Sequence, residues 1–331
     1  MNVKFFNPAK GYLQIKDEVD SEIQRVLTAG DLILRDDVEK FEKNLADYVG
    51  VKHAIGLNSG TDALYLALRY LGIGQGDEVL VPAYTFVATA QVVKQLGAEP
   101  ILYDLGQEPE PIEDKTKAIM IAHMAGELNF IPETTCPVIE DACQALGAVR
   151  NPQTFAQCWS FYPAKILGAY GDAGAITTND EKLYNWIKEA RNHFKTDGKE
   201  WGINSRMDNL QAAILNVKFK YLPYTLMRRK EIAERYLNEL KDLDIILPNN
   251  EEGRVWQDFV FEVQSGTREI LFNHLKEKGI ECLKNNYPFP IPKPYLTQRY
   301  EDNSIRIPCN ENLDDSDVTF VIKNIREFYG E

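Results

Sequence analysis

From residue 52 onward the chain alternates two hydrophobic rhythms. Five short runs, KHAIGLN, DEVLVPA, EPILYDL, TKAIMIAHM and CPVIED, are of strand length and largely apolar, as strands covered on both faces are. Between them lie SGTDALYLALRYLGI and TFVATAQVVKQLGA, whose apolar residues recur at three- and four-residue spacing and predict helices. Strand and helix in alternation predict a doubly wound, mostly parallel α/β sheet. Ahead of it, residues 12 to about 50 are helical in pattern and include the amphipathic DDVEKFEKNLADYVG. After WSFYP a hairpin-like stretch runs to AGAITTND, followed by the helix EKLYNWIKEARNHF and a longer one from Met207 to Lys220. Pro223 interrupts the pattern. A further helix, YTLMRRKEIAERYLNELKDL, leads into a smaller part with strand VWQDFVFEV, helix TREILFNHLKEKG, the proline-rich loop YPFPIPKPY and a last helix, DDSDVTFVIKNIREFY. No internal repeat or low-complexity linker separates the parts. The expected division is a large domain over 1–220 and a small one over 221–331, packed closely.

Charge and composition narrow the classes of function. The 331 residues are 44% hydrophobic and 26% charged, ordinary for a globular chain, with room for a large core. A net charge of −13 opposes sequence-independent binding to nucleic acid, which draws its affinity from Lys and Arg. The compact basic run Arg228-Arg229-Lys230 reads as a solvated helix face. No stretch reaches the ~20 apolar residues of a membrane span, and MNVKFFNPAKGY does not read as a signal peptide. Five scattered cysteines without a CxxC pair fit a reducing cytosol, so a cytoplasmic location is expected. The four histidines lie far apart, and no metal site is expected.

Candidate chemistry concentrates in a few places. LGIGQG looks like a dinucleotide fingerprint but ends a helix and precedes a strand, so it reads as a helix C-terminal turn. NSGTDAL, residues 58–64, joins a strand to a helix; its free N–H groups suit a phosphate, while taken alone Ser59 and Thr61 read first as plain N-capping. VIEDACQALGA places Glu140 and Asp141 at the end of a strand in a parallel sheet, where ligands bind. Cys143 reads as a small buried thiol. In CWSFYPAKILGAYGDAGAITTND, Lys165 has no charged neighbour nearer than Asp172. It is either a lysine lying on apolar surface with its ammonium in water or a reactive amine. Jointly these signals match the needs of one cofactor, pyridoxal phosphate. It requires a lysine, an acid for its ring nitrogen, a phosphate cup and an aromatic ring over its face.

At NSGTDALYLAL with GDEVLVPAYTFVATA, VIEDACQALGA, SFYPAKILGAYGDAGAITTND and GINSRMDNLQAAIL, the chain resembles the DegT/DnrJ/EryC1/StrS sugar aminotransferases over almost its full length. The resemblance implies the fold type I, aspartate aminotransferase-like architecture: a mostly parallel, seven-stranded-type sheet flanked by helices, with a smaller α+β C-terminal domain. It implies that Lys165 forms the Schiff base with pyridoxal 5′-phosphate and moves the proton at Cα, with pyridoxamine 5′-phosphate between half-reactions. By the same resemblance Asp141 pairs with the ring nitrogen, Gln144 binds the phenolic oxygen and Phe86 stacks on the ring. Gly60, Thr61 and Ser160 contact the phosphate, and Asn204 reaches the phosphate of a neighbouring subunit. A homodimer with shared sites is therefore expected, acting by ping-pong between L-glutamate and a nucleotide-linked 3-keto or 4-keto deoxysugar. A cyclitol ketone as acceptor and a cofactor-binding regulator of the same fold are the alternatives. A sugar dehydratase of this family would carry His in place of Lys165. The chain departs from the family in a shortened span over 105–137 and in Pro292, which stands where a YPxPxH pattern has histidine. Both departures bear on the sugar and its nucleotide.

Overall fold

A computed structural model describes residues 2–111, 115–148, 154–196 and 198–330. Three helices lead the chain, α1 (Pro8–Gln14), α2 (Lys16–Ala29) and α3 (Asp36–Val49). The alternating region then gives β1 (His53–Leu57), α4 (Gly60–Tyr70), β2 (Glu78–Pro82), α5 (Val87–Gln95), β3 (Glu99–Tyr103), β4 (Thr116–Ala122) and β5 (Val138–Asp141). β6 (Ala156–Ser160) and β7 (Gly174–Thr178) pair antiparallel, followed by α6 (Glu181–Ala190) and α7 (Asn209–Phe219); of the hairpin-like stretch expected after WSFYP only β7 forms, and its partner β6 lies ahead of it. The second unit comprises α8 (Leu222–Glu239), β8 (Ile245–Ile246), β9 (Phe259–Val263), α9 (Arg268–Glu277), β10 (Leu283–Lys284), α10 (Tyr295–Asn303), β11 (Ser304–Ile307) and α11 (Asp315–Tyr329). Pro223 falls in the first turn of α8, where its missing N–H costs nothing.

Seven strands form one mixed sheet in the order β1-β7-β6-β5-β4-β2-β3. The pairings from β6 through β5, β4 and β2 to β3 are parallel, while β7 runs antiparallel to both β1 and β6. The carboxyl ends of β1, β2, β4, β5 and β6 therefore share one edge, the edge beyond which ligands bind in such sheets. Helices cover both faces. Leu64 and Leu68 of α4 pack with Ile55, Met120 and Ile139 on one side; Phe41 of α3 and Leu215 of α7 pack with Trp159 and Phe161 on the other. Burial on both faces is why the strand sequences read as continuous apolar runs.

The second sheet, β10-β11-β9-β8, is antiparallel and builds its own core from Phe259, Phe261 and Ile305 with Tyr236, Leu271 and Val321 of the helices. Val3 bridges to Ile280 and is buried in this same core.

Three expectations change. The strand expected over 255–263 forms only from Phe259. α10 and β11 were not apparent in the sequence. α10 begins after Pro294, which offers no side-chain cap; instead the Asp104 carboxylate accepts from Leu296 N (3.0 Å) and Thr297 N (2.8 Å). A cap supplied from almost two hundred residues away leaves no local signature. Arg229, expected on a solvated face, is only 2% exposed: Nε donates to Glu311 Oε2 at 2.8 Å, and Nη1 donates to the carbonyls of Trp256, Gln257 and Cys309. Its charge is needed inside, between α8 and the second sheet. Of the shortened span, residues 112–114 lie outside the described residues.

Candidate active site

At the carboxyl edge of the large sheet, where the second unit approaches it, lies a cavity of about 530 Å³. That volume suits a cofactor together with a substrate. Gly60, Thr61, Phe86, Asp141, Gln144, Ser160 and Lys165 all border it. These are seven of the eight positions singled out from the sequence. Asn204, the eighth, is exposed and lies outside this lining. Its loop is tied to the base of α4 by the adjoining Ser205, whose hydroxyl accepts from Asn58 N and donates to Asp62 Oδ2.

The N-terminus of α4 forms one end of the cavity. Ser59 caps the helix, its Oγ accepting from Asp62 N at 3.1 Å, so capping and anion binding are compatible here. The Gly60 and Thr61 N–H groups belong to the first turn, which has no intrahelical acceptor for them. A Cβ on Gly60 would stand 2.7 Å from Cys143 Sγ and 3.0 Å from Ser160 Cβ, so only glycine permits this approach.

Strand alternation sorts the two acids of VIED, because neighbouring residues point to opposite faces. Glu140 turns away from the cavity and is spent on a buried network. Gln157 Nε2 donates to its Oε1 at 2.9 Å, and His123 Nε2 lies 2.7 Å from its Oε2. His123 Nδ1 accepts from Asn129 N at 3.1 Å, which places the ring proton on Nε2, facing Glu140. Asp141 faces the cavity. Its Oδ2 accepts from Thr89 Oγ at 2.7 Å and its Oδ1 from Cys143 N at 3.2 Å. Those two bonds fix the carboxylate and leave lone pairs for a ligand. Cys143, expected to be a buried thiol, is half-buried in the cavity wall; desolvation and the Asp141 carboxylate push its thiol far up, so it stays protonated.

Lys165 sits in the turn between β6 and β7. Its own N–H donates to Tyr162 O at 2.8 Å. A Cβ on Gly168 would overlap the Pro163 carbonyl, so this glycine is what lets the turn close on itself. Gln257, just ahead of β9, grips the turn from the opposite side. Its Oε1 accepts from Ile166 N (3.1 Å) and its Nε2 donates to Ala164 O (2.9 Å), one bond on each side of Lys165. Lys218 of α7 donates to Gly168 O.

Several lining residues were missed in the sequence. Gln257, Asp258, Tyr287 and Arg306 all come from the second unit. Tyr287, the first residue of the proline-rich loop, meets Phe86 edge to face at 6.2 Å. The loop is pinned by a buried ion pair, Lys293 Nζ to Glu301 Oε1 at 2.5 Å, directly after the anomalous Pro292. The proline-rich stretch drew attention to the loop, but nothing local marks Gln257 or Arg306.

The chemistry of this donor set fits pyridoxal phosphate. An amine, a fixed carboxylate, free N–H groups at a helix start and an aromatic ring converge on one cavity. Comparisons with known proteins agree. The model of the DegT/DnrJ/EryC1/StrS aminotransferase family matches residues 13–326. The chain is 37% identical to UDP-2-acetamido-2-deoxy-3-oxo-D-glucuronate aminotransferase of Pseudomonas aeruginosa, over 88% of each chain. It is 33% identical, over 99% of each, to a pleiotropic regulatory protein of Geobacillus stearothermophilus. The crystal structure of S. venezuelae DesV, in complex with a ketimine intermediate, superposes with a TM-score of 0.90 at 30% identity, covering 100% of this chain and 99% of that one. The chain belongs to the DegT/DnrJ/EryC1/StrS family and is a pyridoxal-phosphate-dependent aminotransferase.

Proposed function

We propose that the protein carries an amino group from L-glutamate to a nucleotide-linked keto-deoxysugar in two alternating half-reactions. The observation that carries this reading is the convergence of Lys165, Asp141 and the Gly60 and Thr61 N–H groups on one cavity. The 3-oxo acceptor of the Pseudomonas relative favours a ketone at C3.

Pyridoxal phosphate, when bound, supplies a cationic ring that withdraws electrons from the donor's Cα–H bond. Asp141, held by Thr89 and Cys143 N, pairs with the ring nitrogen and keeps it protonated. Gly60 and Thr61 offer their N–H groups, and Ser160 its hydroxyl, to the phosphate. Gln144, whose Oε1 already accepts from Ala125 N at 2.7 Å, offers its amide N–H to the phenolic oxygen. Phe86 covers the ring face, and Tyr287 backs Phe86 from the second unit. Lys165 Nζ would hold the cofactor's carbonyl carbon and, as a free amine, would serve as the general base for the donor's Cα proton. Gln257 keeps that nitrogen in place through the backbone on either side of it.

The reading includes a homodimer of cytoplasmic location. Asn204 is exposed and outside its own cavity, as a residue serving the phosphate end of a second copy's cavity would be. Among the described residues no helix is long and apolar enough to cross a membrane.

Steady-state kinetics with L-glutamate and nucleotide-linked 3-keto and 4-keto sugars test the assignment. Parallel double-reciprocal lines and one 2-oxoglutarate per amino sugar are expected. Intersecting lines would exclude the alternating scheme, and turnover of a cyclitol ketone in preference to the sugars would exclude the acceptor class.

A further inference from the structure

The proline-rich loop that brings Tyr287 to the cavity is poorly equipped to hold its own shape. Four of the eight residues from Tyr287 to Pro294 are prolines, with no N–H to donate. The loop is fixed instead by α10, the helix that follows it. Glu301 Oε1 accepts from Tyr287 N at 3.3 Å, at the head of the loop, and from Lys293 Nζ at 2.5 Å, at its tail. One carboxylate oxygen thus closes the loop into a ring. α10 is in turn tied to the large sheet by Asp104, which follows β3 and accepts from Thr297 N (2.8 Å) and Thr297 Oγ1 (2.7 Å). The side chains of Lys293 and Glu301 are 7% and 8% exposed. Burial holds the Lys293 ammonium below its ordinary pKa and the Glu301 carboxyl above its own, so each charge is stable there only beside the other. From the position this gives it, Tyr287 meets two groups assigned to the cofactor. Its ring stands edge to face on Phe86, with centroids 6.2 Å apart, and the Gln144 amide hydrogen-bonds its hydroxyl.

We infer that Lys293 and Glu301 are positioning residues for the cofactor site: their ion pair fixes the backbone of Tyr287, and Tyr287 fixes Phe86 and Gln144. The inference rests on the aminotransferase reading above and adds a control on how firmly, and in what orientation, the cofactor is held. Neither residue borders the cavity, so the effect runs through Tyr287. The charges and the hydrogen bond to Tyr287 N do separate things. Removing one charge strands the other inside the protein and opens the loop. Removing both while keeping an oxygen at position 301 preserves the bond to Tyr287 N with no buried charge left behind.

The test uses the purified full chain and reads two quantities: the dissociation constant for pyridoxal phosphate and the visible circular dichroism of the bound cofactor. The second reports how the ring sits in its asymmetric surroundings. Lys293→Met and Glu301→Gln, each alone, are expected to weaken cofactor binding by roughly 5- to 50-fold and to reduce the dichroism. The double variant Lys293→Met/Glu301→Gln, with both charges gone and the oxygen kept, should recover most of both. Lys293→Met/Glu301→Leu, which lacks the oxygen, should not. The single variants against the first double, and the two doubles against each other, are independent comparisons, so one decides the question if a variant of the other fails to fold. Single variants that hold the cofactor as wild type does, or two double variants with equal affinity and dichroism, overturn the inference. Wild-type protein that cannot be loaded refutes the aminotransferase reading, whereas loaded variants that match wild type refute only the role of Lys293 and Glu301.

Discussion

Individual residues were legible in the sequence wherever their chemistry contradicted their surroundings. Lys165 stands alone among aromatic and small residues, and Asp141 ends an apolar strand; both border the cavity. The strand pattern alone did not separate Glu140 from Asp141, because only the pleat decides which of two neighbouring acids turns outward; the family resemblance singled out Asp141. Gln257 was silent for a different reason. An amide is an ordinary residue until a turn 91 residues earlier in the chain docks against it. Its two bonds to the backbone around Lys165 predict a defect in positioning rather than in binding. Gln257→Ala should retain the cofactor, lose about 1–3 kcal/mol of stability and lower kcat roughly 10- to 100-fold, since small misplacements of a reacting group are costly. Rapid-mixing measurement of the first half-reaction checks this. An unchanged rate would show that the turn holds Lys165 without help.

Elements were legible where one rhythm ran long enough. β1 through β5 with α4 and α5 fall where the apolar runs and the helical spacing put them. The short pieces of the second unit were missed because tertiary contacts make them: α10 takes its cap from Asp104, and β11 is a four-residue strand completed by β9. α7 carries a prediction of its own. Burial pushes the Lys218 ammonium down to about 8 from 10.5, while Nζ reaches Gly168 O and lies 4.8 Å from the Tyr170 ring centroid. Between those two pH values the unfolded chain holds a proton that the folded chain has released. Stability from this group therefore rises with pH across the window. Unfolding of wild type and Lys218→Met, compared from pH 8 to 10.5, should show the difference moving in favour of wild type by up to about 3 kcal/mol. A difference that stays flat would mean that Lys218 keeps its ordinary proton affinity in the fold.

For the whole molecule, sheet class and cofactor chemistry followed from the sequence, and the family resemblance supplied the assignment of roles. The joint between the two units did not follow. Tyr287, Gln257 and Arg306 reach the cavity from a region where the sequence shows only a proline-rich loop and scattered strands. The proposed shared-site dimer predicts complementation. Asn204→Ala and Lys165→Ala chains, each impaired alone, should regain part of the activity when refolded together, because a mixed pair contains one intact site. No recovery in a verified mixed dimer would place Asn204 outside the partner's site. The central claim, that Lys165 is the amine that holds the cofactor and works on the donor, is tested most directly by absorption spectroscopy. Wild-type protein loaded with pyridoxal phosphate should show a visible band that L-glutamate bleaches, and Lys165→Ala should lack both the band of the lysine-bound cofactor and the bleaching. A lysine-bound band that survives in Lys165→Ala, or wild-type protein that forms none at all, would contradict the account.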